Sequence, residues 1–267
     1  VSTVGFVGAG RMGAAMVRRL VTAGHHVNVL ARSPEKSTAI TELGATPVAD
    51  LAGVCAGADT VVICVFTDEQ VRDVAEALIT DLDPHTAVVI HTTGSPHTTE
   101  AIAARGVDVV DAAVSGGPHD IAAGRLTLFV GGSDASVERV RPVLASYGDP
   151  IIPVGPPGAG QRVKLINNAL FAAQIGLISA AVELGERLGV PESTLLAALP
   201  HASAGNRALD SISRAGSAAS FRAVVGEFLS KDVATVRATA AELGAGLGVL
   251  DTIIDTGLAP TGGTKSA

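Results

Sequence analysis

The chain has 267 residues, 47% hydrophobic and 17% charged, enough apolar material for a substantial core and too much for a disordered chain. A net charge of −7 and a pI of about 5.4 disfavour nonspecific nucleic-acid binding, and one Tyr with no Trp gives little for a base-stacking platform. Two cysteines, Cys55 and Cys64, make neither a disulfide framework nor a zinc site, which fits a reducing cytoplasm.

No basic n-region precedes the opening VGFVGAG run, so no signal peptide is expected. Thr3 to Val7 reads as a short apolar strand. Met12, Met16, Val17, Leu20 and Val21 then recur at helical spacing over residues 12–23, and Gly24 closes that helix. His26 to Ala31 is the next strand, and Pro34 opens a helix that ends near Gly44. Thr60 to Phe66 is a continuous apolar run of the kind found in parallel strands covered on both faces. A helix is predicted over 68–79, a strand over Ala87 to Ile90, and a helix from Pro96 to Gly106. Val107 to Ala112, Leu126 to Val130 and Ile151 to Val154 complete the strands, with a helix over 134–146. Strands alternating with helices predict right-handed βαβ units. The fold class is α/β: a Rossmann-type, doubly wound, mostly parallel sheet followed by an all-α C-terminal domain.

The pattern changes at Gly155-Pro-Pro-Gly-Ala-Gly160, after which helices are predicted over 160–187, 192–198, 205–215, 221–245 and 247–257. This divides the chain into a dinucleotide-binding domain, residues 1–157, and an all-helical substrate and dimerisation domain, residues 158–267. A helical half of this size does not easily wrap a core of its own, so a homodimer or homotetramer is expected. Mean hydropathy is +0.42, and the longest uncharged stretch is Leu165 to Val182. It contains Asn167, Asn168, Gln174 and Ser179, and a bilayer offers those groups no partners, so it reads as a buried helix and no membrane partner is expected. The tail TGGTKSA is expected to be mobile.

The strongest single motif is Gly8-Ala9-Gly10-Arg11-Met12-Gly13, which follows a strand and opens a helix. Gly8 permits the tight turn, Gly10 lets a pyrophosphate approach the backbone, and Gly13 lets helix and strand pack closely. The anion then sits at the helix N-terminus. At the end of the second strand, Ala31-Arg32-Ser33-Pro34-Glu35-Lys36, the acidic position that accepts from a ribose 2′-hydroxyl is empty. Arg32 can pair bidentately with a 2′-phosphate, Ser33 can donate one hydrogen bond, and Lys36 adds positive charge. The expected cofactor is NADP(H); NAD(H) stays open if Arg32 only stacks on the adenine.

Three further segments stand out: Asp111-Ala-Ala-Val-Ser115-Gly116-Gly117, Gly158-Ala-Gly160-Gln-Arg-Val-Lys164-Leu-Ile-Asn167-Asn168, and Lys231-Asp232. Lys164 and Asn168 are four apart and share a helix face. A lysine at the edge of an uncharged helix would be partly desolvated, moving its pKa toward neutrality, which suits proton transfer. The small residues at 115–117 can expose backbone N–H groups as an anion nest. Without further context, Lys164 would read as a snorkelling flank, 115–117 as a plain turn and Lys231 as an exposed helix lysine.

Together with GAGRMG, these segments resemble the β-hydroxyacid dehydrogenase family over residues 3 to 245. That family includes 3-hydroxyisobutyrate dehydrogenases, tartronate semialdehyde reductases and glyoxylate/succinic semialdehyde reductases. The resemblance implies hydride transfer between the nicotinamide and a small 3-hydroxy acid or its semialdehyde. Lys164 would move the proton, Asn168 would sit on the substrate oxygens, and Ser115, Gly116 and Gly117 would hold a carboxylate. It also implies that Val65, Phe66 and Thr67 line the cofactor cleft, that Thr93 lies near the nicotinamide, and that Lys231 reaches both nicotinamide and substrate.

The chain departs from the family at several places. Phe66-Thr67 replaces a usual Leu-Pro, Ile90 a usual Asp, and Pro118, His119 and Asp120 replace small residues. His119 is the one histidine that this reading would connect to the substrate, and a plain exposed histidine in a 118–120 loop is the reading favoured over it. The other histidines show no metal-ligand spacing, and no metal is expected. Where the family usually adds a further helical segment a polar tail is read here, so cleft closure and subunit contacts are expected to depart from the family. Two alternatives remain at this level. One is an imine reductase, although those enzymes generally lack the lysine found at 164. The other is a noncatalytic NADP(H)-binding module, whose signature would be loss of Lys164 or of the 115–117 loop.

Overall fold

A computed structural model describes residues 1–258, and its chain divides into two units, Val1–Lys164 and Leu165 onward. The first is built on β1 (Thr3–Val7), β2 (His26–Leu30), β3 (Thr46–Val48), β4 (Thr60–Ile63), β5 (Ala87–Ile90), β6 (Val109–Ser115), β7 (Leu126–Gly131) and β8 (Gly148–Gly155). They form one sheet in the order β3-β2-β1-β4-β5-β6-β7-β8. β1 to β6 run parallel, β7 is antiparallel to β6, and β8 is parallel to β7.

Successive side chains of a strand point to opposite faces, and the core divides accordingly. Phe6, Val62 and Val89 pack with Met16, Leu20, Leu128 and Tyr147 in one cluster, while Val7, Ile63 and Ile90 pack with Val54, Leu78 and Ile102 in another. Every residue of β4 and β5 is buried, as their unbroken apolar runs require. The helices of this unit are α1 (Gly13–Thr22), α2 (Pro34–Glu42), α3 (Leu51–Cys55), α4 (Asp68–Leu78), α5 (Pro96–Ala104), α6 (Pro118–Ala122) and α7 (Asp134–Leu144).

Several elements differ from the sequence reading. β3 and α3 were not expected; β3 is three residues long, and α3 is a short helix capped by Asp50, whose Oδ1 accepts from Gly53 N at 2.8 Å. β4 stops at Ile63, so Val65 and Phe66 lie beyond the strand. β6 runs on to Ser115. β8, expected over Ile151 to Val154, begins three residues earlier at Gly148; Pro150 obscures that extension, and proline is tolerated because the strand is outermost. Residues 118–120, expected as a loop, open α6.

After Gly155 the described residues contain no strand. α8 (Ala159–Arg187) begins in the first unit and continues into the second, which adds α9 (Glu192–Ala198), α10 (Arg207–Ala215), α11 (Ala218–Glu242) and α12 (Val249–Leu258). Their core includes Ile175, Leu209, Ile212, Phe221, Val233 and Ile254. Asn206 and Ser217 cap α10 and α11 by accepting from Leu209 N and Ser220 N, each at 3.0 Å. α8 is long and apolar enough to cross a membrane by length and composition, yet half of its most apolar window is buried inside the protein. The tail segment 261–267 lies outside the described residues.

Candidate dinucleotide and substrate site

Because β1 to β6 are parallel, the segments after β2, β1, β4, β5 and β6 emerge along one edge of the sheet. The strand order reverses between β1 and β4, the position where open α/β sheets bind ligands. The glycine turn sits there. Gly8 has φ +103°, and a Cβ on it would collide with the Cys64 carbonyl; a Cβ on Gly13 would collide with the carbonyl of Gly8. At Gly10, by contrast, nothing lies within 4 Å of where a Cβ would stand. Two glycines therefore serve close packing and the third faces open space. Ala9 and Met12 pack against the core, and Arg11 is exposed. α1 has no side-chain cap and no acidic residue in its first turn, whereas Ser33, Thr67 and Ser95 cap α2, α4 and α5. An open backbone at the positive end of an uncapped helix fits a pyrophosphate.

At the end of β2, Arg32 and Lys36 are exposed. Ser33 has a role the sequence did not suggest. Its hydroxyl oxygen accepts from Lys36 N at 3.3 Å, and its hydroxyl bonds the Glu35 carboxylate, holding that group below its ordinary pKa. The expected donor to a phosphate is thus engaged in starting α2.

The segment after β4 is held rigidly. Gln70 Oε1 accepts from Phe66 N at 2.9 Å and from Thr67 N at 3.1 Å, while Thr67 Oγ1 accepts from Gln70 N at 3.2 Å. This capping box explains how Thr67 can replace a proline. Thr92 Oγ1 accepts from Val65 N at 3.0 Å and donates to Val65 O at 2.9 Å, locking the β5 terminus to the same segment. Thr92 was passed over in favour of Thr93, which is half-buried beside it. Beneath Thr92, buried His91 stands between Ala112 O, 2.6 Å from Nδ1, and Tyr147 Oη, 2.8 Å from Nε2. A carbonyl only accepts, so Nδ1 carries the proton and Tyr147 donates to Nε2. Burial pushes the His91 pKa down to about 4.

Ser115 ends β6, and Gly116 follows with φ +135°. The anion nest expected here is partly filled from within. Gly117 N donates to Asp120 Oδ2 at 2.8 Å, and a Cβ on Gly116 would lie 2.7 Å from the same oxygen. His119 is largely exposed, its Nε2 3.3 Å from that carboxylate. The departure at 118–120 therefore places a negative charge against the loop read as a carboxylate holder.

On α8, Lys164 is half-buried and Asn168, one turn on, is buried. Asn168 Nδ2 donates to Asp232 Oδ2 at 2.9 Å, and its Oδ1 accepts from Asn167 Nδ2 at 3.1 Å. Lys231 Nζ is 3.6 Å from Asp232 Oδ1. Asp232, unassigned in the sequence reading, joins Asn168 and Lys231; the Lys231-Asp232 pair was the available signal.

A sheet that reverses at an open glycine turn, followed by helices led by a lysine-bearing one, defines a nicotinamide-dependent oxidoreductase of the Rossmann type. Residues 3–155 match the family model for the NAD-binding domain of 6-phosphogluconate dehydrogenase. Residues 158–256 match the model for the NAD-binding domain of NADP-dependent 3-hydroxyisobutyrate dehydrogenase. A 3-hydroxyisobutyrate dehydrogenase of Pseudomonas aeruginosa is 32% identical over 214 residues, 78% of this chain and 72% of the relative. The solved structure of Mycobacterium tuberculosis 3-hydroxyisobutyrate dehydrogenase with L-serine superposes with a TM-score of 0.85 at 28% identity, covering 96% of this chain and 92% of that one. An imine reductase from Pseudomonas sp. shares the fold, with a TM-score of 0.66 at 22% identity over 94% of this chain and 90% of that one. The chain belongs to the β-hydroxyacid dehydrogenase family and is a nicotinamide-dependent hydroxyacid dehydrogenase.

Proposed function

We propose that the protein is an NADP(H)-dependent enzyme interconverting a small 3-hydroxy acid and its semialdehyde, with Lys164 as proton donor and acceptor. The observation that carries this reading is Lys164 on α8, one turn before Asn168, in a helix whose opening is tied to β6 through Asp111 and to the segment just after β5. The nicotinamide supplies or takes up the hydride. In reduction, the carbonyl carbon gains that hydride while the Lys164 ammonium gives its proton to the carbonyl oxygen; oxidation reverses both transfers. Asn168 orients the reacting oxygen, Lys231 binds substrate and cofactor, and Ser115 with the 116–117 backbone meets the substrate's acid end.

NADP(H) is preferred because Arg32 stands where NAD enzymes place a carboxylate, and Lys36 adds charge beside it. Gly8 to Gly13, Val65 to Thr67 and Thr93 complete the cofactor set. The domain assignment remains residues 1–157 for the cofactor and 158–267 for substrate and assembly, in a cytoplasmic enzyme. A homodimer or homotetramer is supported by a line of exposed apolar residues along α8 and just past its end. Ile166, Leu170, Leu177, Leu184 and Leu188 are each at least half exposed and recur at intervals of four and seven.

The test is NADPH oxidation at neutral pH against semialdehydes, glyoxylate and cyclic imines, with Lys164→Ala as control. Turnover of a carboxylate-bearing aldehyde, lost in Lys164→Ala while NADPH binding persists, is expected. Turnover of imines alone, or NADPH binding without turnover, would overturn the proposal.

A further inference from the structure

Asp111 is fully buried on β6, four residues before Ser115. Its two carboxylate oxygens do not face one another's partners. Oδ1 accepts from Gly158 N at 2.7 Å and Oδ2 accepts from Gln161 N at 2.7 Å, so both go to the backbone that opens α8. Glycines wall the socket. A Cβ on Gly131 would lie 2.5 Å from Oδ1, and one on Gly160 would lie 2.8 Å from Oδ2.

Gln161 makes the complementary attachment from the helix side and is itself 1% exposed. Its Oε1 accepts from Gly94 N at 3.0 Å, and its Nε2 donates to Thr92 O at 2.8 Å. Every polar atom of the Gln161 amide is thus directed at the turn carrying Thr92 and Thr93. One side of the first turn of α8 is pinned to β6, and another to the end of β5. Lys164 follows Gln161 by three residues, about one turn further along the same helix.

These contacts exceed what starting a helix requires. α2, α4, α5 and α7 each begin with a nearby Ser or Thr whose oxygen accepts one backbone N–H. α8 instead takes a carboxylate from a strand 47 and 50 residues away in sequence. Burying that charge is unfavourable: desolvation raises the Asp111 pKa to about 6 even though backbone N–H groups pull it down. An arrangement that is costly for folding, yet fixes a helix both along its axis and about it, is suited to placing a group that must be placed well.

We propose that Asp111 and Gln161 are positioning residues that set Lys164 relative to the Thr92-Thr93 and Ser115-Gly117 segments, an inference that rests on the reading of Lys164 as the proton donor. Neither touches substrate. They act by stopping α8 from sliding or rotating, and a displacement of about 1 Å in a proton donor costs on the order of 100-fold in rate.

The test uses the full chain with Gln161→Met and Asp111→Asn, each alone and combined with Lys164→Ala. Gln161→Met keeps side-chain length and serves if Asp111→Asn fails to fold. Turnover is expressed per NADPH-binding site, titrated by fluorescence, and thermal stability is read separately. The expected result is a kcat about 10- to 100-fold lower with an NADPH Kd changed less than about threefold. In the Lys164→Ala background, the same substitutions should give little further loss. A lower Tm with unchanged kcat per site would make the arrangement purely structural and overturn the proposal. So would losses that multiply fully with that of Lys164→Ala. If Lys164→Ala alone turns over like the parent, the proton-donor reading itself falls, and the inference falls with it.

Discussion

Acidification protonates two buried groups of the first unit, with opposite effects on stability. His91 is neutral in the fold, with a pKa of about 4 against an ordinary 6.5, because burial penalises its charged form. Its contribution to stability is complete above pH 6.5 and disappears as the pH falls through about 4, at about 1.4 kcal/mol per pH unit and about 3 kcal/mol in all. Asp111 has a folded pKa of about 6 against an ordinary 3.8, again through desolvation. Its contribution is complete below pH 3.8 and is lost as the pH rises through about 6, also about 3 kcal/mol in all. Between pH 4 and 6 the two slopes oppose each other. Asp111→Asn removes one, so its stability should fall by about 2–3 kcal/mol between pH 6.5 and 4 relative to the parent's own change. His91→Gln, which can keep a bond to Tyr147, should move relative to the parent in the other direction. Urea unfolding of the apo chain, followed by far-UV circular dichroism in half-unit steps from pH 4 to 7.5, measures both differences. Identical pH slopes for the parent and both variants would refute the reasoning.

Arg32→Asp should shift the ratio of kcat/KM with NADPH to that with NADH toward NADH by at least about tenfold, since it loses a cation and gains an acceptor for a ribose 2′-hydroxyl. Asp120→Ala should release Gly117 N–H and remove a negative charge beside it, raising kcat/KM for carboxylate-bearing aldehydes severalfold; an unchanged value would mean that the 115–117 loop does not meet the acid group. Gly10→Ala should leave Tm nearly unchanged, because open space surrounds that position, yet weaken NADPH binding by about tenfold. Gly8→Ala, which meets the Cys64 carbonyl and needs a positive φ, should instead lower stability by about 2 kcal/mol or more, read as a falling Tm.

Local patterns carried most of the first unit. The apolar runs of β4 and β5 and the spacing of Met16, Val17 and Leu20 announce elements because burial alone decides them. β3 was missed because three residues show no period, and the first three residues of β8 because Pro150 resembles a loop until one knows that the strand is outermost. The glycine turn and the Lys164–Asn168 spacing were readable because each depends on residues close in sequence. The contacts of Asp111 with Gly158 and Gln161 were not, since hydrogen bonds across about fifty residues leave no local trace. Asp120 showed only as a departure from a pattern. Its effect on Gly117 N–H needed the turn of α6 that brings the two together.

The two thiols have a consequence for chemical endurance. Burial pushes the Cys64 pKa up to about 12 and that of Cys55 up to about 11, the latter aided by nearby Asp81. At pH 7 about one thiol in ten thousand or fewer is therefore ionised at either position. Peroxides and alkylating agents attack thiolates, so neither sulfur offers them a ready target, although Cys64 lies directly beneath the glycine turn. The other sulfur atoms belong to Met12, half-buried against the core, and Met16, fully buried on α1; oxidation of a methionine is reversible. Oxidant exposure should thus modify Met12, a repairable residue, before it caps either cysteine.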